Sequence, residues 1–543
     1  MTLLLLIAFL SQPPTAPGQE NCLPLNFSLE KIDKRNTSGA STAFVRSMAK
    51  DPLGNAYLAG VVSGPNGLDI HVVKYDRSGV LLWSDQWNGS FDGDDEGFGV
   101  AVDSSQNVYV CGTVQTGSGD WDFAVRKYAK HATQESYTAA WTTLIHNGNG
   151  QEQARAIILD PDRRVFVAGK LVKDGNLDAA VARLNNSDGE PSDQWEPGGN
   201  HLEGIRFFSG SANGEDQLHA IALDGADHVG AAGYVLQSGG GSPNHKDFLT
   251  VRIDKLDGAV AYQAVWSHVT SSDDVANAIV MDQAGNAYVA GAASETQSLP
   301  GDFGVIKYDP EGNRCWKSIF HPSETTAAYP TAILLDAQHS VVYAAGIGMV
   351  GSTGETQRMV AAKYTATYSA CDDRTVSPIA DNADVDLLSI NVVNETVARA
   401  ILDVHGNVFV VAPAKRPSGS DSDFKLAKFS PCLDVRFERN FERDAPGDAE
   451  RPFAMVYDSS DPSYVWTAGR LQIGSQNHFL AMRWCWPRAD INHDGIVDDA
   501  DLAYVLGCFG QQGGCPETDL NNDGTVDDTD LAIVLAAFGH QCP

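Results

Sequence analysis

Basic residues are scarce in this chain: 38 Lys and Arg stand against 70 Asp and Glu in 543 residues, a formal net charge of −32. Nucleic acid and anionic membrane both recruit basic surfaces, so neither is expected as the main partner. Long apolar runs are missing too. Leu3–Leu10 is too short to span a bilayer, and no later stretch is long and apolar enough. The nine cysteines form no CxxC pair, which argues against a zinc ribbon or a thioredoxin-type site. There is no GxSxG elbow, no HExxH helix and no cysteine with an evident catalytic partner. What remains is 43% hydrophobic and 20% charged, the composition of a globular protein rather than a disordered one. Its 52 glycines imply many tight turns and favour a β-rich fold.

Residues 1–18 read as a secretory signal: an apolar run, then small residues and prolines ending Ala16-Pro17-Gly18. That predicts a secreted or cell-surface protein with no membrane span in the mature chain. Export permits disulfides. Cys111 lies inside an apolar strand pattern and reads as a buried thiol.

A repeat runs through most of the chain. The clearest copy is Asn277–Asp282, then Gly285-Asn-Ala-Tyr-Val-Ala-Gly291, then Asp302-Phe-Gly-Val-Ile-Lys-Tyr308, then Trp316. A second is Gly99–Asp103, Asn107–Gly112, Asp122–Tyr128 and Trp141. The glycine closing the second segment recurs at Gly60, Gly112, Gly169, Gly233, Gly291, Gly346 and Gly469; an eighth copy has Val411-Ala412-Pro413 there. Each unit holds four short apolar segments broken by Asp, Gly and Asn turns, the pattern of a four-stranded meander. Eight such units read as an all-β propeller over 19–486, eight blades of four strands. A β-solenoid and a seven-bladed ring with one irregular unit are the alternatives. The last unit supplies only three segments, Phe453–Tyr457, Tyr464–Gly469 and His478–Trp484. A spare N-terminal strand, within 23–32, is expected to complete it and lock the ring, because an open blade would expose an unpaired edge. Cys22 and Cys485 would then adjoin and could pair.

The repeat resembles the bacterial β-propeller family often called SBBP, in the Asp-x-x-Gly-Asn-x-Tyr-Val-Ala-Gly core and the Asp-Phe-x-Val-x-Lys-Tyr third segment. The resemblance covers about residues 40–486. It implies an exported, surface-associated protein and no particular chemistry.

The first segment of each unit carries a small residue, Ser47, Gly99, Ala156, Ala220, Ala278, Ala332, Ala400 and Ala454, as crowding near a central axis demands. Before it stand Arg46, Phe98, Arg155, His219, Asn277, Thr331, Arg399 and Phe453. Arg46, Arg155, His219 and Arg399 are thus candidates to hold an anionic ligand such as a uronate or other carboxylate. The competing reading pairs them with Glu96, Glu152, Glu215 and Asp274. The Asp and Lys of the third segment recur in many units, which marks architecture, since a catalytic group is needed once.

Residues 487–543 carry ten Asp and one Glu against one Arg. Two segments match at an offset of 29: Asp490–Asp501 and Asp519–Asp530, each followed by an apolar helical pattern. Calcium takes six to eight oxygens, supplied by positions 1, 3, 5, 7, 9 and 12 of a twelve-residue loop. Here these are Asp490, Asn492, Asp494, the Ile496 carbonyl, Asp498 and Asp501, then Asp519, Asn521, Asp523, the Thr525 carbonyl, Asp527 and Asp530. Gly495 and Gly524 occupy the sharp-turn position. Two Ca²⁺ sites are expected. Asp at position 12 and the absence of a long entering helix resemble the type I dockerin over about 490–539. That resemblance implies a small all-α docking module with a protein partner, cohesin-like or on the cell surface, and a link to polysaccharide processing. Positions 10 and 11, Asp499-Ala500 and Asp528-Thr529, depart from the Ser/Thr pairs usual in cohesin recognition.

The expectation is therefore an exported calcium-binding protein with a non-catalytic propeller scaffold for a glycan or anionic ligand. The alternative is a carbohydrate-active enzyme, a glycosyl hydrolase or lyase, recruited through its tail.

Overall fold

The computed structural model describes residues 25–26, 42–198, 201–238, 244–268, 272–293, 301–322 and, with short gaps, most of 325–538. The chain divides into two compact units, one of residues 26–484 and one that includes 485–543.

The first unit is an eight-bladed propeller. Blade 1 is Ala43–Lys50, Ala56–Ser63, Leu68–Tyr75 and Leu81–Trp87. Blades 2 to 8 open with Glu96–Val102, Gln153–Leu159, Gln217–Leu223, Val275–Met281, Thr325–Asp336, Arg399–Leu402 and Ala449–Tyr457. Each is an antiparallel meander, and the short strand Leu25–Asn26 lies beside Gln476–Cys485 as the fourth strand of blade 8. The expected N-terminal closure is thus present, in two residues. The seven-bladed and solenoid alternatives fall. Blade 5 gains a fifth strand, Arg374–Thr375, parallel to its edge and tied by the disulfide Cys315–Cys371. Cys111 is a buried free thiol, as expected. Cys22 lies outside the described residues, as do 1–18.

Burial explains the strand patterns. The second and third strands are sandwiched between neighbouring blades, so Ala56–Val62 and Asp302–Tyr308 are buried on both faces, and the first of them reads as an apolar run. The outer strand Val260–Trp266 alternates, since one face meets solvent. Blades 8 and 1 share one core, with Val45, Leu58 and Val73 against Trp466, Ala468 and Phe479, so the ring is closed by packing.

The repeated motif is a set of ties. In blade 5 the Asp282 carboxylate takes the Asn286 amide N–H (2.8 Å), its side-chain Nδ2 (2.7 Å) and the Tyr288 hydroxyl (3.1 Å). Gly285 between them has φ +84°, which glycine alone adopts freely. The same hub forms at Asp51 and Asp103. The third-strand lysine lies over that tyrosine and reaches the next blade: Lys74 to Glu135 (2.8 Å), Lys127 to the Asn186 carbonyl (3.0 Å), Lys307 to the Ala366 carbonyl (2.8 Å). In blades 2, 3 and 4 another carboxylate, just before the first strand, clips backbone N–H groups: Asp95 takes Gly89 and Gln115, Glu152 takes Asn147 and Val172, Asp216 takes Gly210 and Leu236.

In the second unit two ten-residue helices, Asp499–Cys508 and Asp528–Ala537, pack around Ile491, Val497, Val505, Leu520, Val526 and Val534. Among the described residues no helix is long and apolar enough to cross a membrane.

Candidate functional site

The residues before the small position line one axial cavity of about 840 Å³. Arg46, Phe98, Arg155, His219, Asn277, Thr331, Arg399 and Phe453 all reach it, one from each blade. A β-bulge aims seven of them there. In blades 1 to 6 and 8 the first strand skips a register at this residue: Val45/Ser47, Gly97/Gly99, Ala154/Ala156, Leu218/Ala220, Ala276/Ala278, Pro330/Ala332 and Pro452/Ala454. The extra residue has no partner in the ladder and turns inward.

The bulge also explains the recurrent glycine of the second strand. A Cβ on Gly60, Gly112, Gly169, Gly233, Gly291 or Gly346 would overlap the carbonyl oxygen that the bulge pushes across the strand pair. Blade 7, with Val411 at that place, pairs Arg399 with Val411 and Ala400 with Val410 without a shift among its described residues. The sequence showed the glycine but not its cause.

The ring is held in two ways. From blade 4 to blade 7 each ring side chain bonds a carbonyl of the next first strand: His219 Nδ1 to Ala276 (3.1 Å), Asn277 Nδ2 to Pro330 (3.0 Å), Thr331 Oγ1 to Ala398 (2.7 Å). On the other side Phe98 lies between two guanidinium groups, with Arg46 at 4.7 Å and Arg155 at 5.0 Å from its centroid.

The charge is uneven. Arg46 pairs with Glu96 at 2.6 Å, as the competing reading expects. Glu215 pairs instead with Lys170 at 2.9 Å, and Glu152 serves as a backbone clip. Among the described residues no carboxylate pairs with Arg155 or Arg399. Arg155 only approaches Gln153 Oε1 at 3.5 Å, and Arg399 donates to the Ala398 carbonyl at 3.1 Å. Burial and the Arg155 charge push the Arg399 guanidinium down to about 10. Burial and the Arg46 charge lower Arg155. Burial and Arg155 push His219 down to about 4, so its imidazole is neutral at ordinary pH. Arg470, Tyr329 and Met349 also line the cavity, and no sequence signal marked them.

Asp120, Asp122 and His146 place ligand atoms within 4.8 Å of one another on the rim of blade 2. Blade 5 repeats the pair as Asp302 and His321, so this too is architecture.

In the tail, Asp490, Asn492, Asp494, Ile496, Asn521 and Asp523 lie outside the described residues. The others sit alike in the two halves. Asp498 and Asp527 cap the helices, donating an N–H at 2.9 Å to Asp501 and Asp530. Asp501 and Asp530 are fully buried, and their second oxygens accept the Ile491 N–H (2.5 Å) and the Leu520 N–H (2.6 Å). Cys508 is disulfide-bonded.

No protein-family model matches the chain, and neither does any curated protein. Solved structures similar in fold include the Pseudomonas aeruginosa periplasmic gluconolactonase PpgL, 13% identical over 69% of this chain and 96% of that one, TM-score 0.39. A PL25 ulvan lyase is 10% identical over 82% and 94%, TM-score 0.39. Drosophila Semaphorin 1b, extracellular domains 1–2, is 9% identical over 72% and 85%, TM-score 0.37. At these values, what those proteins act on does not carry over.

Proposed function

We propose that this is an exported binding protein of SBBP-type repeats, without catalysis of its own. Its axial cavity takes an anionic ligand, and its tail is a calcium-bound, dockerin-type module that docks to a protein partner. The observation that carries the reading is Arg155 and Arg399, two guanidinium groups lining one cavity with no carboxylate paired to either among the described residues. Charge held in a confined site without a counter-ion is costly, and a bound anion relieves that cost. A non-catalytic role is supported by the carboxylates nearby. Glu96 is locked to Arg46, and Asp95, Glu152 and Asp216 give their oxygens to backbone N–H groups.

The tail donors suit calcium, a hard cation that takes oxygen ligands. Asp501 and Asp530 place a buried carboxylate at the closing position of each twelve-residue segment. Asp490, Asn492, Asp494, Ile496, Asp498 and Asp501 would hold one ion, and Asp519, Asn521, Asp523, Thr525, Asp527 and Asp530 the other. The ion would offset the repulsion among these carboxylates and couple binding to folding of the tail.

Calorimetry on the full chain tests both parts. Calcium is expected to fill two sites, with Asp501→Ala and Asp530→Ala each removing one. Adipate, a plain dicarboxylate, is expected to bind the propeller, and Arg399→Gln to weaken it about tenfold or more. No heat with calcium would end the tail assignment, and no heat with adipate would end the cavity assignment.

A further inference from the structure

The ring residues carry more than charge. The His219 Nδ1 faces a carbonyl oxygen, Ala276 O, which can only accept. The proton must therefore sit on Nδ1, and the neutral ring leaves a bare lone pair on Nε2. Asn277 donates its Nδ2 to the Pro330 carbonyl, which leaves its Oδ1 as a second acceptor. Neither Nε2 nor Oδ1 has a hydrogen-bond partner among the described residues, and both side chains line the cavity. A site for a bare anion would offer donors alone. This one offers two acceptors as well.

Their order around the ring is informative. Arg155 belongs to blade 3 and Arg399 to blade 7, which stand opposite each other in a ring of eight. On the arc between them come His219 in blade 4, Asn277 in blade 5 and Thr331 in blade 6. The Thr331 hydroxyl is already spent on Ala398. Read along the arc, the sequence is cation, acceptor, acceptor, spent hydroxyl, cation.

We infer that the cavity takes a hydroxylated dicarboxylate, with its two carboxylates at Arg155 and Arg399 and its hydroxyls donating to His219 Nε2 and Asn277 Oδ1. This rests on the anion-binding reading above and narrows it. Sugar acids oxidised at both ends have this pattern of negative ends and hydroxyls between. The aromatic and arginine half of the ring, Arg46, Phe98 and Phe453, supplies the opposite wall. A plain dicarboxylate satisfies the cations but leaves both acceptors facing apolar carbon. A site built to hydrogen-bond a hydroxyl discriminates strongly against the analogue that lacks it.

The test is calorimetric titration of the full chain with galactarate, adipate and galactose. Galactarate and adipate share chain length and charge and differ in their hydroxyls; galactose has hydroxyls and no charge. Galactarate is expected to bind about tenfold or more tighter than adipate, and galactose not measurably. In His219→Phe, which keeps a ring but removes the acceptor, the ratio should fall to within about threefold while adipate binding holds. The ratio on the unaltered chain decides the matter even if that variant does not fold. Equal binding of galactarate and adipate overturns the hydroxyl assignment and leaves the anion reading standing. Galactose binding as well as galactarate overturns the need for charge, and no binding of either acid overturns both.

Discussion

Replacing Gly233 with alanine tests the bulge that carries His219 in blade 4. A Cβ there would lie 2.7 Å from Leu218 Cα and 2.9 Å from the Gln217 carbonyl carbon, and closer still to its oxygen. Carbon atoms pack best at about 3.5–4.0 Å. The crowded atoms are backbone within a sheet, so no rotamer change relieves them. Overpacking a core costs about 1–3 kcal/mol, and this case belongs at the upper end, about 3 kcal/mol. The cheapest relief is to flatten the bulge. That removes the extra residue at His219 and disturbs its bond to the Ala276 carbonyl. Two readouts should therefore move together in denaturant unfolding and in adipate or galactarate titration. Gly198→Ala is the control, since nothing lies within 4 Å of a Cβ there and its backbone is unstrained. A loss at Gly233 no larger than at Gly198, or full stability with binding intact, would refute the bulge argument.

Asp103→Ala removes the hub that accepts the Asn107 N–H, the Asn107 side chain and the Tyr109 hydroxyl. The Tyr109 hydroxyl keeps the Asn186 Oδ1 at 3.1 Å, so the loss falls on the half-buried Asn107 donors and should be about 1–2 kcal/mol in chemical unfolding. The clipping carboxylates set a pH dependence. Burial pushes Asp95 and Asp216 up to about 6 and Glu152 to about 7. A carboxyl whose folded value lies above its unfolded value holds its proton more tightly when folded, so stability falls as pH rises from about 4 through about 7. Melting temperature should drop across that window, and Glu152→Gln should flatten the part near pH 7; an unchanged slope in the variant would assign the effect elsewhere.

Much of this was legible in the residues. Asp-x-x-Gly-Asn-x-Tyr marks a turn whose bonds are local, so each copy announces a strand pair. The twin aspartate-rich segments are legible for the same reason, since every ligand proposed for a site falls within twelve residues of sequence. The position of Arg46, Arg155, His219 and Arg399 beside a small residue showed that they share a level of the ring. Which of them is neutralised did not show. Glu96 meets Arg46 across a blade boundary, 50 residues away, while Glu215 turns to Lys170.

The sequence by itself determined the count of blades and the closing strand, because these follow from short-range periodicity and turn chemistry repeated along the chain. Only the tertiary structure decided that Arg155 faces Arg399 across the axis, that His219 presents a bare nitrogen, and that Cys315 finds Cys371. The last two depend on packing between adjacent blades, and the first on ring closure, which brings distant strands to one point. No local pattern encodes the distance between residues that meet only when the last blade closes on the first.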